Sequence, residues 1–214
     1  MSEKILIIGK NSIIAKEFIK KINNTQIIAP PKSLWNMNNT DFSKKQINII
    51  KNVDKILLLQ SVISSKFFLD RKQSEITKQI NINLLSVIKI CELALNYNKK
   101  VKIIVLGSES GIKGSYDIVY GLMKSSIHKY VEERKIKYSS QQLLCISPST
   151  IIDTKMTLSR KDQKNVLKSI LKNPKKRGIK SKEIADLIYS IFYDITDYMT
   201  NTVIRVDGGK FSRM

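Results

Sequence analysis

Ile5-Leu6-Ile7-Ile8-Gly9-Lys10-Asn11-Ser12-Ile13-Ile14-Ala15 sets how the rest of the chain is read. Four aliphatic residues run into a glycine, a short polar turn follows, and a second apolar run begins behind Ser12. That is a buried strand, a turn and a helix start. In a dinucleotide fold such a turn brings backbone amides and a helix N-terminus up to a pyrophosphate, and glycines permit the close backbone approach. Only Gly9 is kept; Ile13 and Ala15 stand where later glycines usually sit. On its own the stretch suits plain α/β punctuation and cofactor binding equally.

Working outward, short apolar runs alternate with longer amphipathic ones. Strands are expected at residues 4–8, 26–29, 55–59, 101–106, 143–146 and 203–206, and helices at 13–22, 44–51, 75–96, 118–135, 158–171 and 182–195. In 75–96 the apolar positions Ile80, Leu84, Val87, Ile88, Cys91 and Leu95 recur at three- and four-residue steps, which is one helical face. The alternation predicts a Rossmann-like, doubly wound parallel sheet flanked by helices, as a single domain over residues 1–214. Pro30-Pro31 marks a loop after the second strand, and Pro174 punctuates a basic stretch.

Composition narrows the classes. A chain of 214 residues buries a core without a disulfide or metal staple. Cys91 and Cys145 lie in apolar surroundings, and with the single His128 they cannot make a four-ligand zinc site. The first apolar run is too short for a signal peptide, and no segment approaches the ~20 apolar residues of a membrane span. A soluble, cytoplasmic chain with no membrane partner is expected. The net charge of +20 invites a polyanion, yet the lysines are scattered and accompanied by much Ile and Asn, a pattern that A/T-rich codons alone produce. The densest cluster, Lys172-Asn173-Pro174-Lys175-Lys176-Arg177, reads as a solvated loop, so nucleic acid is not the expected partner.

Beyond Val101 the residues carry chemistry. A buried strand ends at Gly107-Ser108, and twelve residues after Ser108 comes Tyr120, with Lys124 four further on. Positions four apart share a helix face, so Tyr120 and Lys124 stand side by side near a hydroxyl at the strand's end. A neighbouring ammonium favours the phenolate of a tyrosine whose ordinary pKa is ~10, and the serine can hold a substrate oxygen while the tyrosine moves a proton.

With these residues in place, the chain resembles the short-chain dehydrogenase/reductase family over nearly its whole length. The family's serine and Y-x-x-x-K match Ser108, Tyr120 and Lys124; its helix asparagine matches Asn83, with Asn81 as the alternative. Ile146-Ser147-Pro148-Ser149-Thr150-Ile151-Ile152-Asp153-Thr154-Lys155-Met156 is similar to its proline-glycine and threonine-x-methionine segment. Lys182-Glu183-Ile184-Ala185 resembles a family helix start, and Val203-Ile204-Arg205-Val206-Asp207-Gly208-Gly209 its last strand and terminal V-D-G-G. The chain departs from the pattern at the thinned glycine turn, at Leu58-Leu59-Gln60-Ser61 in place of N-N-A-G, and at Pro148-Ser149 in place of proline-glycine.

The resemblance implies an NAD(P)-dependent oxidoreductase that reduces a carbonyl or oxidises an alcohol. Tyr120 would be the acid/base, Ser108 would bind the reacting oxygen, Lys124 would hold the nicotinamide ribose and lower the Tyr120 pKa, and Asn83 would support a water path. Gly9, Asn11, Ser12, Ile14, Lys32, Ser61, Pro148 and Thr154 would hold the cofactor together with Tyr120 and Lys124. No carboxylate follows the second strand in Ile27-Ile28-Ala29-Pro30-Pro31-Lys32, which slightly favours NADP over NAD, with Lys32 and Lys10 as phosphate partners. Arg160, Lys161, Lys164 and Lys168 in the implied substrate loop suit an anionic small molecule, and the helices at 75–96 and 118–135 suit a homodimer or homotetramer. The alternative is a catalytically impaired relative acting as a cofactor- or nucleic-acid-binding module.

Overall fold

β1 (Glu3–Ile8) sits inside the sheet, and Ile5, Leu6, Ile7 and Ile8 are all buried. A strand covered on both faces keeps an unbroken aliphatic run. The other strands are β2 (Thr25–Ile28), β3 (Lys55–Leu58), β4 (Lys102–Leu106), β5 (Gln142–Pro148) and β6 (Thr202–Val206). They form one parallel six-stranded sheet in the order β2-β1-β3-β4-β5-β6. This computed structural model describes residues 2–160 and 162–211, so Lys161 of the expected substrate loop lies outside the described residues. The expected strands match the observed ones to within two residues at each end.

Successive strand residues feed two cores. Leu6, Ile8, Ile56, Leu58, Ile103 and Val105 pack with α2 (Lys44–Lys51), α4 (Ser86–Tyr97) and α6 (Ile118–Glu133). Ile5, Ile7, Leu57, Leu59, Ile104 and Leu144 pack with α1 (Ile13–Ile19) and α9 (Ser181–Tyr193). The chain leaves β1 toward β2 on one side and reaches β3 on the other. That reversal opens a crevice beyond the carboxyl ends of β1 and β3, where open α/β sheets bind ligands.

Two segments differ from the sequence reading, and the expected loop after β2 is a turn. The expected helix at 75–96 is a continuous run, α3 (Gln73–Ile80), a π-turn (Asn81–Leu85) and α4, in which the Ser86 N–H reaches back to the Asn81 carbonyl. Taken whole, Gln73–Tyr97 is long and apolar enough to cross a bilayer, which the sequence reading did not expect. Its apolar stripe, Ile82, Val87, Ile90, Ala94 and Leu95, instead fills the core. The expected helix at 158–171 divides into α7 (Lys155–Leu158) and α8 (Gln163–Leu171). Gln163 Nε2 donates to the Thr157 and Arg160 carbonyls at 3.0 and 2.8 Å and satisfies the end of α7 before α8 begins. After β2, the Pro31 carbonyl accepts from Leu34 and Trp35 at 3.0 and 3.1 Å, and Trp35 and Met37 plug into the core. β2 is the outermost strand on its side.

Candidate active site

Gly9 opens the first turn with φ +93°, a left-handed value that a side chain disfavours. A Cβ there would also lie 3.0 Å from the Leu59 carbonyl carbon and the Gln60 nitrogen, so the turn packs directly on the end of β3. Ser12 caps α1, its Oγ accepting from the Ala15 N–H at 3.1 Å. The loop after β3 brings the Ser61 hydroxyl to the cleft, whereas the buried Gln60 amide beside it does not line that space.

The third wall comes from β4. Its last residues are stitched to β5 by Gly107 N–H to the Ile146 carbonyl (2.7 Å) and Glu109 N–H to the Pro148 carbonyl (2.8 Å). Ser108 is thereby fixed at the head of α5 (Ser110–Lys113), and its Oγ accepts from the Ser110 N–H at 3.1 Å. α6 then presents Tyr120, Lys124 and His128, all buried, at four-residue steps on one face.

Lys124 Nζ donates to the Leu106 carbonyl at 2.6 Å and stands 5.7 Å from the centre of the Tyr120 ring. Burial pulls its pKa down to about 8. The expected lowering of the Tyr120 pKa is not what the structure shows. Burial pushes the phenol above its ordinary value and Asp117 adds to the rise, while the nearby Ser108 and Ser61 hydroxyls pull the other way. Desolvation outweighs the two hydroxyls because the phenol is buried.

Asn83 is buried, and its amide pairs with one residue: Oδ1 accepts from the Val62 N–H (2.8 Å) and Nδ2 donates to the Val62 carbonyl (2.7 Å). Its side chain braces the loop that carries Ser61 and does not line the cleft. Asn81, the alternative, points elsewhere and donates to the Asn38 carbonyl at 2.9 Å.

One cleft of about 1140 Å³ gathers these walls. Among its lining residues are Asn11, Ser12, Ile14, Ser61, Ser108, Tyr120, Lys124, Pro148 and Thr154, so most of the expected positions converge on one space. Gly9 backs the cleft through its contact with β3. Lys32 is not brought in: it is exposed, on the turn that Trp35 and Met37 draw toward the other core. Lys10 does not line the cleft either, whereas Lys16 on α1 does.

Several residues escaped the sequence reading. Gly107 and Gly111 flank Ser108, and a Cβ on either would lie within 3 Å of the His128 imidazole, which spaces the serine turn from α6. Burial first, and then Lys124 and Arg205, push His128 down to about 4, so it is neutral at pH 7. Arg160, expected from sequence to suit an anionic substrate, lines the cleft but stacks 4.8 Å from the Tyr116 ring centre and is forked onto Asp162 at 2.9 and 2.6 Å. Asp117 caps α6, and an aspartate just ahead of an apolar-periodic run is a signal the sequence did carry.

The fold and this crevice define a dinucleotide-type α/β protein. A family model described as enoyl-(acyl carrier protein) reductase matches residues 46–210, about three-quarters of the chain. The chain belongs to that family, within the short-chain dehydrogenases/reductases, which are oxidoreductases. No curated protein matches by sequence. Among solved structures, a short chain dehydrogenase family protein from Francisella tularensis subsp. tularensis SCHU S4 superposes with TM-score 0.80 at 21% identity, over 98% of this chain and 99% of that one. A short chain dehydrogenase from Leptospira borgpetersenii serovar Hardjo-bovis with bound NAD+ gives 0.79 at 18%, over 98% and 93%. BdcA in complex with NADPH gives 0.79 at 13%, over 96% and 93%. At these identities the likeness is one of fold.

Proposed function

We propose that the protein transfers a hydride between a nicotinamide cofactor and a small carbonyl or alcohol, with Tyr120 as proton donor and acceptor. The observation that carries this reading is the convergence of Ser108, Tyr120 and Lys124 on the cleft at the sheet's switch point, together with the Ser61 hydroxyl. Gly9, Asn11, Ser12, Ile14, Ser61, Pro148 and Thr154 would hold the dinucleotide, and Lys124 its ribose. The bound cofactor supplies the hydride; the protein supplies position and proton. In the reductive direction Ser108 donates a hydrogen bond to the substrate oxygen as negative charge gathers there, and Tyr120, protonated at neutral pH, gives it the proton.

The absence of a carboxylate directly after β2, with Lys16 on the cleft wall, favours NADP over NAD. An anionic substrate suits the lining charge. Glu109 is neutralised by Lys113 and Lys210 at 2.6 and 3.2 Å, and Asp153 accepts from Ser181, while Lys16 and Lys155 make no ion pair among the described residues. Exposed Leu85, Ile118 and Leu122 on the outer helices support a homodimer or homotetramer.

Titration with NADPH and NADH, followed by nucleotide fluorescence and melting temperature, tests the cofactor step. Saturable binding is expected, tighter for NADPH. A substrate panel of anionic carbonyls, with enoyl thioesters added on the family model's description, then tests turnover. Tyr120→Phe should lower turnover by about 10²–10⁴-fold with nucleotide binding kept. No nucleotide binding at millimolar concentration would sink the reading and leave the impaired-module alternative.

A further inference from the structure

We propose that Asp117 is a positioning residue that holds the Tyr120 turn of α6 and the loop carrying Ser61 on a single buried anchor. The proposal rests on the reading of Tyr120 as the acid/base. Asp117 Oδ1 accepts from the Tyr120 N–H and from Arg71 Nη1, both at 3.2 Å. Its Oδ2 accepts from the Ser64 N–H at 2.8 Å and from Gln79 Nε2 at 2.6 Å. Gln79 Nε2 also donates to the Val62 carbonyl at 3.2 Å, and its Oε1 accepts from Arg71. A helix cap needs one oxygen. Asp117 uses both, and couples its helix to a loop more than fifty residues earlier in the chain.

The burial argues that the arrangement is more than a cap. The Arg71 and Asp117 side chains are 3% and 1% exposed. Burying two charges is costly even when they pair, and an apolar pair often serves stability as well. What the ion pair adds is fixed geometry: Ser64 is three residues from Ser61, and Tyr120 three from Asp117, so the two walls of the cleft cannot drift independently. The charged and titratable groups facing Asp117 are Arg71 from the turn before α3, and Tyr116 and Tyr120 from its own segment; those facing Tyr120 are Asp117 and Lys124. Asp117 is one of the causes that raise the Tyr120 pKa.

The test uses full-length protein labelled with 13Cζ-tyrosine, with the Tyr120 signal assigned by its loss in Tyr120→Phe. In Asp117→Asn the Tyr120 signal should begin to titrate at lower pH than in the wild type. NADPH affinity, read by nucleotide fluorescence well below the melting temperature, should fall about tenfold as the Ser61 loop is freed. If Asp117→Asn leaves Arg71 unpaired and does not fold, the Arg71→Met/Asp117→Asn pair removes both charges and should show the same changes. A folded variant with the wild-type Tyr120 titration, or with unchanged NADPH affinity, would overturn the shared anchor. Loss of folding in both variants would assign the cluster to stability and overturn it equally. A wild type that binds no NADPH would count against the enzymatic reading alone, and the Tyr120 titration would then decide this proposal.

Discussion

Lys124 Nζ donates to the Leu106 carbonyl at 2.6 Å, bridging α6 to the end of β4 with an ammonium group that is almost wholly buried. The bond ties the helix carrying Tyr120 to the strand leading to Ser108. Burial of the ammonium, not the bond, leaves Lys124 easier to deprotonate than a solvated lysine.

The stability of the fold should carry that signature. Lys124 titrates near 8 in the folded chain, against 10.5 without the burial. Between those values the unfolded chain holds a proton that the folded chain has released, so stability rises with pH across the window. Lys124→Met should lack this rise. Melting temperatures of the two proteins from about pH 8 to about pH 10 compare them directly; parallel curves would count against the buried ammonium.

On the acid side His128 sets the slope. It is held near 4 when folded, against 6.5. As pH falls through that interval the unfolded chain takes up a proton that the folded chain refuses, and stability drops by something on the order of 3 kcal/mol. His128→Gln, of similar size for the space between Gly107 and Gly111, should flatten the acid limb. Urea unfolding near pH 7 and near pH 4.5 measures it.

Ser61 separates binding from folding. Its hydroxyl is buried on the cleft wall, close enough to the Tyr120 phenol to pull that pKa down. Ser61→Ala should fold about as stably as the wild type, by chemical denaturation, yet bind NADPH about tenfold more weakly. A variant that binds as well as the wild type would remove Ser61 from the cofactor wall.

The sequence by itself determined what depends on neighbours along the chain. Aliphatic runs placed six strands to within two residues because burial on both faces leaves no polar position to interrupt them. The four-residue step from Tyr120 to Lys124 put both on one face because a helix repeats every 3.6 residues. Gly9 was legible since a turn into a helix demands a residue without a side chain.

Only the tertiary structure decided the rest. The sheet order follows from long-range pairing, and nothing in the residues near β2 declares that no further strand covers it. Lys32, placed on the cofactor by sequence, is exposed and does not line the cleft, on a turn whose Trp35 and Met37 are buried in the core. The Tyr120 pKa was expected to fall beside Lys124 and instead rises, since burial depth is set by elements distant in sequence. Asp117 could be read as a helix cap, but its bond to Arg71, 46 residues earlier, could not. Local spacing determines which side chains share a face; solvent exclusion and partners across the fold determine what those side chains do.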